Sequence, residues 1–125
     1  MILLDSSVII ELFRKQRKEK TIFYKLTQTE TEFCISSVTY FEVGVGNKSL
    51  HKDFWEELLT GISIIPFDKA CAGTAIEIYQ NLKIKGNNID FADLCIGSTA
   101  LNHNFEMATL NLKHFSIIEG LKIVP

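Results

Sequence analysis

The sequence predicts one α/β domain built on a mostly parallel sheet, and three observations carry that prediction. Short apolar runs that read as strands buried on both faces alternate with longer segments whose apolar residues recur at helical spacing. Strands alternating with helices assemble into a central sheet with helices on both faces. At 125 residues the chain suits one compact domain and is too short for two of ordinary size. No linker, internal repeat or low-complexity stretch divides residues 1–125.

Ile2 to Leu4 is the first strand, and Ser6 or Ser7 can cap a helix whose Val8, Ile9, Leu12 and Phe13 share a face. Residues 14–20 hold five basic side chains, Arg14, Lys15, Arg17, Lys18 and Lys20, and fit a helix end or a loop. Residues 21–28 predict a second helix with Ile22, Phe23 and Leu26 inward. Phe33 to Ser36 is the second strand, after which Thr39 and Glu42 fit the Thr-x-x-Glu capping box of a following helix. Phe54, Trp55, Leu58 and Leu59 make the inner stripe of another helix, closed by Gly61. Residues 62–65, ended by Pro66, are the third strand. Residues 70–83 predict a longer helix with Ala75, Ile76, Tyr79 and Leu82 at core spacing and Gly86 as its stop. Asn87 and Asn88 form a turn, and Asp90 opens a helix running through Leu94, Ile96, Gly97, Ala100 and Leu101. Residues 105–109 and 121–124 are the last two strands.

Composition narrows the function. Apolar residues make up 46% and charged residues 22%, the balance of a globular protein. The net charge of −2 excludes a protein that holds nucleic acid by bulk electrostatics, so any such partner must be held by a local patch or a metal. No apolar run reaches the roughly 18 residues of a membrane span, and the start, MILLDSS, has no basic leader, so a cytoplasmic protein is expected. Cys34, Cys71 and Cys95 each lie among apolar residues with no C-x-x-C, which reads as buried reduced thiols.

The placement of the acids is informative. In an open α/β sheet the ligand crevice lies outside the carboxyl ends of the strands. Asp5 follows the first strand, while Glu42 and Asp93 each fall in the first turn of a helix, so all three can face one crevice. Asp90 lies one helical turn from Asp93, and Asn111 brings an amide just past Thr109. Converging carboxylates repel one another and lose solvation, so they need a counter-ion. Oxygen ligands without clustered histidine or cysteine select Mg2+ or Mn2+, and such an ion suits phosphodiester hydrolysis. Each acid also has a local structural reading. Asp5 and Asp90 fit N-caps, Glu42 a capping-box partner, Asp93 a first-turn acid on the helix dipole and Asn111 a turn residue.

Four blocks of the chain, ILLDSSVIIELF, SSVTYFEVGVG, IDFADLCIGSTAL and MATLNLKHFSIIEGLKIV, resemble in order and spacing the PIN-domain ribonucleases of the VapC toxin family. The resemblance implies a PIN-like domain over residues 1–125 that cuts RNA with Mg2+ or Mn2+ and is inhibited by a VapB-like antitoxin. It assigns Asp5, Glu42 and Asp93 as metal ligands and, with Asn111, as catalytic residues. Asp5 matches the acid of the D-[ST]-[NS] motif, with Ser7 its hydroxyl companion; Asp93 opens DLCIGSTA; Asn111 is the third residue of TLNLKHF, which Thr109 begins. Ser7, Asp90 and Thr109 take supporting roles. Two positions depart from the usual pattern: Asn111 is neutral, which weakens a second metal, and His114 stands where many relatives carry another acid. The expected function is a toxin endoribonuclease using a Mg-activated water, assembled as a homodimer. The alternatives are a PIN nuclease that processes RNA without an antitoxin, and a nuclease-dead module that binds RNA or protein.

Other features have plainer readings. The run from Arg14 to Lys20 reads as a solvated helix face in preference to a phosphate-facing edge. Gly44 and Gly46 fail the G-x-G-x-x-G pattern because residue 49 is serine, and close helix packing explains them. His51, His103 and His114 lack metal-ligand spacing and read as surface or packing residues, and Trp55 reads as core or interface. No G-x-S-x-G supports a serine hydrolase.

Overall fold

The computed structural model describes residues 1–46 and 51–125. Ser49, which breaks the glycine pattern, lies outside the described residues. Among the described residues four strands, β1 (Ile2–Leu4), β2 (Phe33–Ser36), β3 (Ser63–Ile65) and β4 (Glu106–Ala108), form one all-parallel sheet in the order β3-β2-β1-β4. The described helices are α1 (Ser6–Arg14), α2 (Ile22–Thr27), α3 (Ser37–Gly46), α4 (Lys52–Gly61), α5 (Lys69–Ile84), α6 (Phe91–Asn102) and α7 (Leu112–Phe115), with a 3-10 turn at Lys18–Lys20.

The two-residue period of the strands divides the core between the faces of the sheet. Ile2, Leu4, Phe33, Ile35 and Ala108 pack with Val8, Ile9, Phe13, Val43 and Trp55 from α1, α3 and α4. Leu3, Cys34 and Met107 pack on the other side with α5, α6 and Phe115 of α7. Each strand residue thus reaches one of two helical layers, which is why β1 and β2 are apolar at every position except Ser36. The chain runs from β1 to β2 to β3 in one direction and then returns past β1 to β4. That reversal puts a topological switch point between β1 and β4, where a crevice opens at the strands' carboxyl ends.

Several local expectations are corrected. Asp5, not Ser6 or Ser7, occupies the N-cap position of α1, and its side chain makes no capping bond. The helix α3 begins at Ser37, where the Val38 N–H donates to Ser36 Oγ at 3.1 Å, so Thr39 is a buried helical residue and no capping box forms with Glu42. On α5 the buried stripe is Cys71, Ala75, Ile78 and Leu82, and Ile76 and Tyr79 are exposed. The chain turns at Lys85 and Gly86, with Gly86 at φ +75, ahead of Asn87 and Asn88. Asp90 does sit at the N-cap position of α6, as expected, but without a capping bond. The last expected strand shrinks to a single parallel bridge, Met107 with Ile123. A side chain at Gly44 or Gly46 would meet no atom within 4 Å among the described residues, whose packing does not explain these glycines. The close approach is at Gly97, where a Cβ would lie 2.6 Å from Ile118 Cδ1.

The remaining sequence features take their places in this frame. All three cysteines are buried and free. Burial pushes the Cys34 thiol up to about 12. Trp55 is core, and His51 and His103 stack on Phe13 and Phe105. No described helix is long and apolar enough to cross a membrane.

Candidate active site

Asp5 follows β1 and Thr109 follows β4, so the sheet order makes them neighbours at the switch point. The Asp5 N–H donates to the Ala108 carbonyl at 2.9 Å, extending the ladder by one rung and fixing the side chain's direction. Asp5 is only 2% exposed. Its Oδ2 accepts from Ser7 Oγ at 2.7 Å and Thr109 Oγ1 at 2.9 Å, and no described donor reaches Oδ1. The same hydroxyls accept backbone N–H groups, Ser7 from Leu110 at 3.0 Å and Thr109 from Asn111 at 2.9 Å. Two short side chains therefore tie the turn after β4 to the acid after β1. Asn111 becomes the N-cap residue of α7 within that tied turn.

Glu42 and Asp93 are held by different partners. Glu42 Oε1 accepts from Ser6 Oγ at 2.7 Å, which links α3 to the first turn of α1, with Thr39 Oγ1 a further 3.3 Å contact of Ser6. Asp93 Oδ2 lies 3.0 Å from His114 Nδ1. Burial pushes the Asp93 carboxyl above its ordinary range, and the nearby Asp5 and Asp90 charges push the same way while His114 opposes them.

Asp5, Ser7, Glu42, Asp93 and Asn111 line one open pocket of about 520 Å3, together with Arg14 and Lys15 on its basic side. Asp90 does not line it and acts on Asp93 through its charge. The acids share this space without being drawn into a tight knot: among the described residues no three His, Cys, Asp or Glu side chains form a ready metal-holding group. Each is anchored to its own donor around the rim. The donor set still fits a hard divalent cation. It offers carboxylate and amide oxygens, a buried Asp5 whose Oδ1 has no described donor, and an Asp93 crowded by like charge.

Sequence reasoning missed two participants. Ser6 holds Glu42, and His114, exposed as expected of a surface residue, also reaches Asp93. A signal for His114 was present, since positions 111 and 114 lie one helical turn apart and so face the same side. The basic run also divides: Arg14 and Lys15 face the pocket, whereas Arg17 pairs with Glu19 and Lys18 binds the Leu12 and Phe13 carbonyls.

A parallel α/β domain with acids at the β1/β4 switch point has the layout of a ligand-binding α/β fold whose oxygen-lined crevice suits a hard cation. The model of the PIN domain matches residues 2–120, and the chain belongs to that family. It is 36% identical to ribonuclease VapC1 of Methanocaldococcus jannaschii over 98% of this chain and 85% of that protein. It is 29% identical to toxin FitB of Neisseria gonorrhoeae, covering 92% and 91% of the two chains. Among solved structures, VapBC2 of Rickettsia felis, crystallised with a DNA fragment from its promoter, superposes with a TM-score of 0.87 at 25% identity, covering 99% and 98% of the two chains. FitAcB of Neisseria gonorrhoeae gives 0.85 at 27% identity, covering 100% and 97%.

Proposed function

We propose that this chain is a metal-dependent endoribonuclease acting as the toxin of a type II toxin–antitoxin pair in the cytoplasm, with residues 1–125 as its one domain. The observation that supports this reading best is the gathering of Asp5, Glu42, Asp93 and Asn111 around one pocket, in a chain similar to proteins named ribonuclease and toxin. Asp5, Glu42 and Asp93 would hold Mg2+ or Mn2+ through carboxylate oxygens. When bound, the ion supplies a water of lowered pKa and offsets charge developing on the scissile phosphate.

The chain's own residues prepare that site. Ser7 and Thr109 fix Asp5 through Oδ2, which leaves Oδ1 for a ligand. Asn111, on the turn held by the same hydroxyls, offers a neutral amide that orients water or the scissile phosphate. Asp90 adds negative charge behind Asp93, strengthening the demand for a cation. A VapB-like antitoxin is the protein partner, by likeness to the VapBC and FitAcB complexes. A homodimer is the proposed assembly; Ile76, Tyr79 and Ile84 of α5 are exposed apolar residues, interspersed with Gln80 and Lys83. Intact acids count against a nuclease-dead binding module, and likeness to toxins counts against an RNA-processing nuclease without an antitoxin.

The test is Asp5→Asn. Purified wild type should cleave single-stranded RNA only with added Mg2+ or Mn2+, and the variant should lose at least about 100-fold of that activity while keeping its circular dichroism spectrum. Undiminished cleavage by the variant refutes the reading.

A further inference from the structure

An acidic pocket in a chain of net charge −2 repels the polyanion it is proposed to cut, so the substrate backbone needs a cation placed beside the acids. The run Arg14 to Lys20 offers five candidates, and the structure commits most of them elsewhere. Arg17 Nε pairs with Glu19 at 2.8 Å. Lys18 Nζ donates to the Leu12 and Phe13 carbonyls in α1's last turn and so acts as a cap for that helix. Lys20 does not line the acid pocket. Lys15 does, but its ammonium lies 3.2 Å from Glu11, which also lines the pocket and offsets its charge.

Arg14 is different. It makes no ion pair among the described residues and is exposed at the end of α1. It lines the pocket of Asp5, Glu42 and Asp93, and also the adjoining groove formed with Ile10, Phe13, Val43 and His51. A guanidinium presents a planar fork of donors that matches two phosphate oxygens at once.

We propose that Arg14 is the substrate-positioning residue of this site, clamping a backbone phosphate of single-stranded RNA next to the scissile one, with the paired Lys15 as a weaker outer contact. The proposal rests on the ribonuclease reading above. Arg14 sets where the strand lies, and the acids act on the bond delivered to them. Because the clamp reads phosphate and not base, its contribution is the same for all sequences.

The experiment uses the full chain in EDTA, where cleavage is stopped, and a fluorescein-labelled single-stranded RNA of mixed sequence. Anisotropy is titrated over a range of KCl concentrations. Arg14→Gln should bind about tenfold more weakly at low salt, and its salt slope should fall by about 0.7, the loss of one phosphate contact on a single strand. Arg14→Lys should recover the slope and only part of the affinity, because a point charge replaces the fork. Arg17→Gln should stay within about twofold of wild type, and with Mg2+ restored Arg14→Gln should raise KM far more than it lowers kcat. Equal losses at Arg14 and Arg17 overturn the clamp in favour of diffuse charge, and unchanged binding by Arg14→Gln overturns it outright. In both cases wild-type cleavage survives. If the wild type neither binds nor cuts RNA, the clamp falls together with the reading beneath it.

Discussion

His114 Nδ1 lies 3.0 Å from Asp93 Oδ2, and this contact ties α7 to the first turn of α6 at the edge of the acid pocket. Asp93 is 15% exposed at its side chain and His114 57%, so the ring covers one side of a carboxylate that is otherwise closed in by the fold. An imidazole N–H aimed at a ligating carboxylate orients it. His114→Ala should weaken Mn2+ binding by about tenfold, measured calorimetrically, with little change in Tm. His114→Asn, whose amide nitrogen can stand where Nδ1 stands, should restore most of that affinity. A loss in both variants that tracks a fall in Tm would reduce the contact to ordinary packing.

Asp93 also makes a stability prediction. Its folded pKa is raised, chiefly by burial and then by Asp5 and Asp90, so the folded state holds this proton more tightly than the unfolded chain does. The contribution to stability is therefore fully present below the unfolded value of about 3.9 and is lost as pH rises through the raised folded value. At neutral pH without metal, Asp93 therefore opposes folding. Asp93→Asn should raise Tm in EDTA at pH 7, whereas most substitutions lower it, and the advantage should vanish near pH 3. The same variant should lose the Mg2+-induced rise in Tm that a ligand of the native state gives the wild type. Thermal unfolding at the two pH values checks both signs.

Much of this was readable in the sequence. The runs ILL and FCIS mark strands because a strand covered on both faces must be apolar at nearly every position, and the alternation in space follows without further information. Asp5, Glu42 and Asn111 could be placed at the carboxyl edge because each stands just after a strand or in the first turns of the helix that follows, whereas Asp93, on a helix that follows another helix, could be placed only in that helix's first turn. Partnership was harder to read. Thr39 and Glu42 have capping-box spacing, but the box depends on where α3 begins, and Ser36 starts it earlier. Glu42 instead answers to Ser6, 36 residues away, a contact created by the packing of α1 on α3. Likewise Ile76 and Tyr79 fit a helical stripe on α5, but the face that α6 covers is the one carrying Ala75 and Ile78. Periodicity identifies a helix more securely than it identifies which face is inward.

Ser6 gives the third prediction. Its hydroxyl is the described side-chain donor to Glu42, 2.7 Å from Oε1, and Glu42 is otherwise an exposed side chain with several rotamers open to it. Ser6→Ala should leave the fold within about 1 kcal/mol of wild type. Metal-dependent cleavage should fall by about tenfold, because a freely rotating carboxylate must be reordered each time it serves as a ligand. Ser6→Thr, which keeps the hydroxyl, should recover activity. If cleavage by Ser6→Ala matches wild type at limiting Mg2+, the hydrogen bond has no functional weight.

The fourth prediction concerns what holds α7, and with it Asn111 and His114, against α6. Gly97 is buried in the middle of α6, and a methyl group there would stand 2.6 Å from Ile118 Cδ1 and 3.5 Å from Phe115 Cδ1. Alanine would gain about 1 kcal/mol of helix propensity over glycine. Ile118 is only 3% exposed, so moving its terminal methyl aside costs packing that outweighs this gain. Gly97→Ala should therefore lower stability by about 1–2 kcal/mol. Ile118→Val removes Cδ1 and alone should cost about 1 kcal/mol. Combined, the two should cost less than their sum, with a coupling of at least about 0.5 kcal/mol, because valine vacates the volume that alanine fills. Chemical denaturation of the four proteins measures the cycle, and strict additivity would mean that Gly97 does not set the distance between α6 and the segment that carries His114.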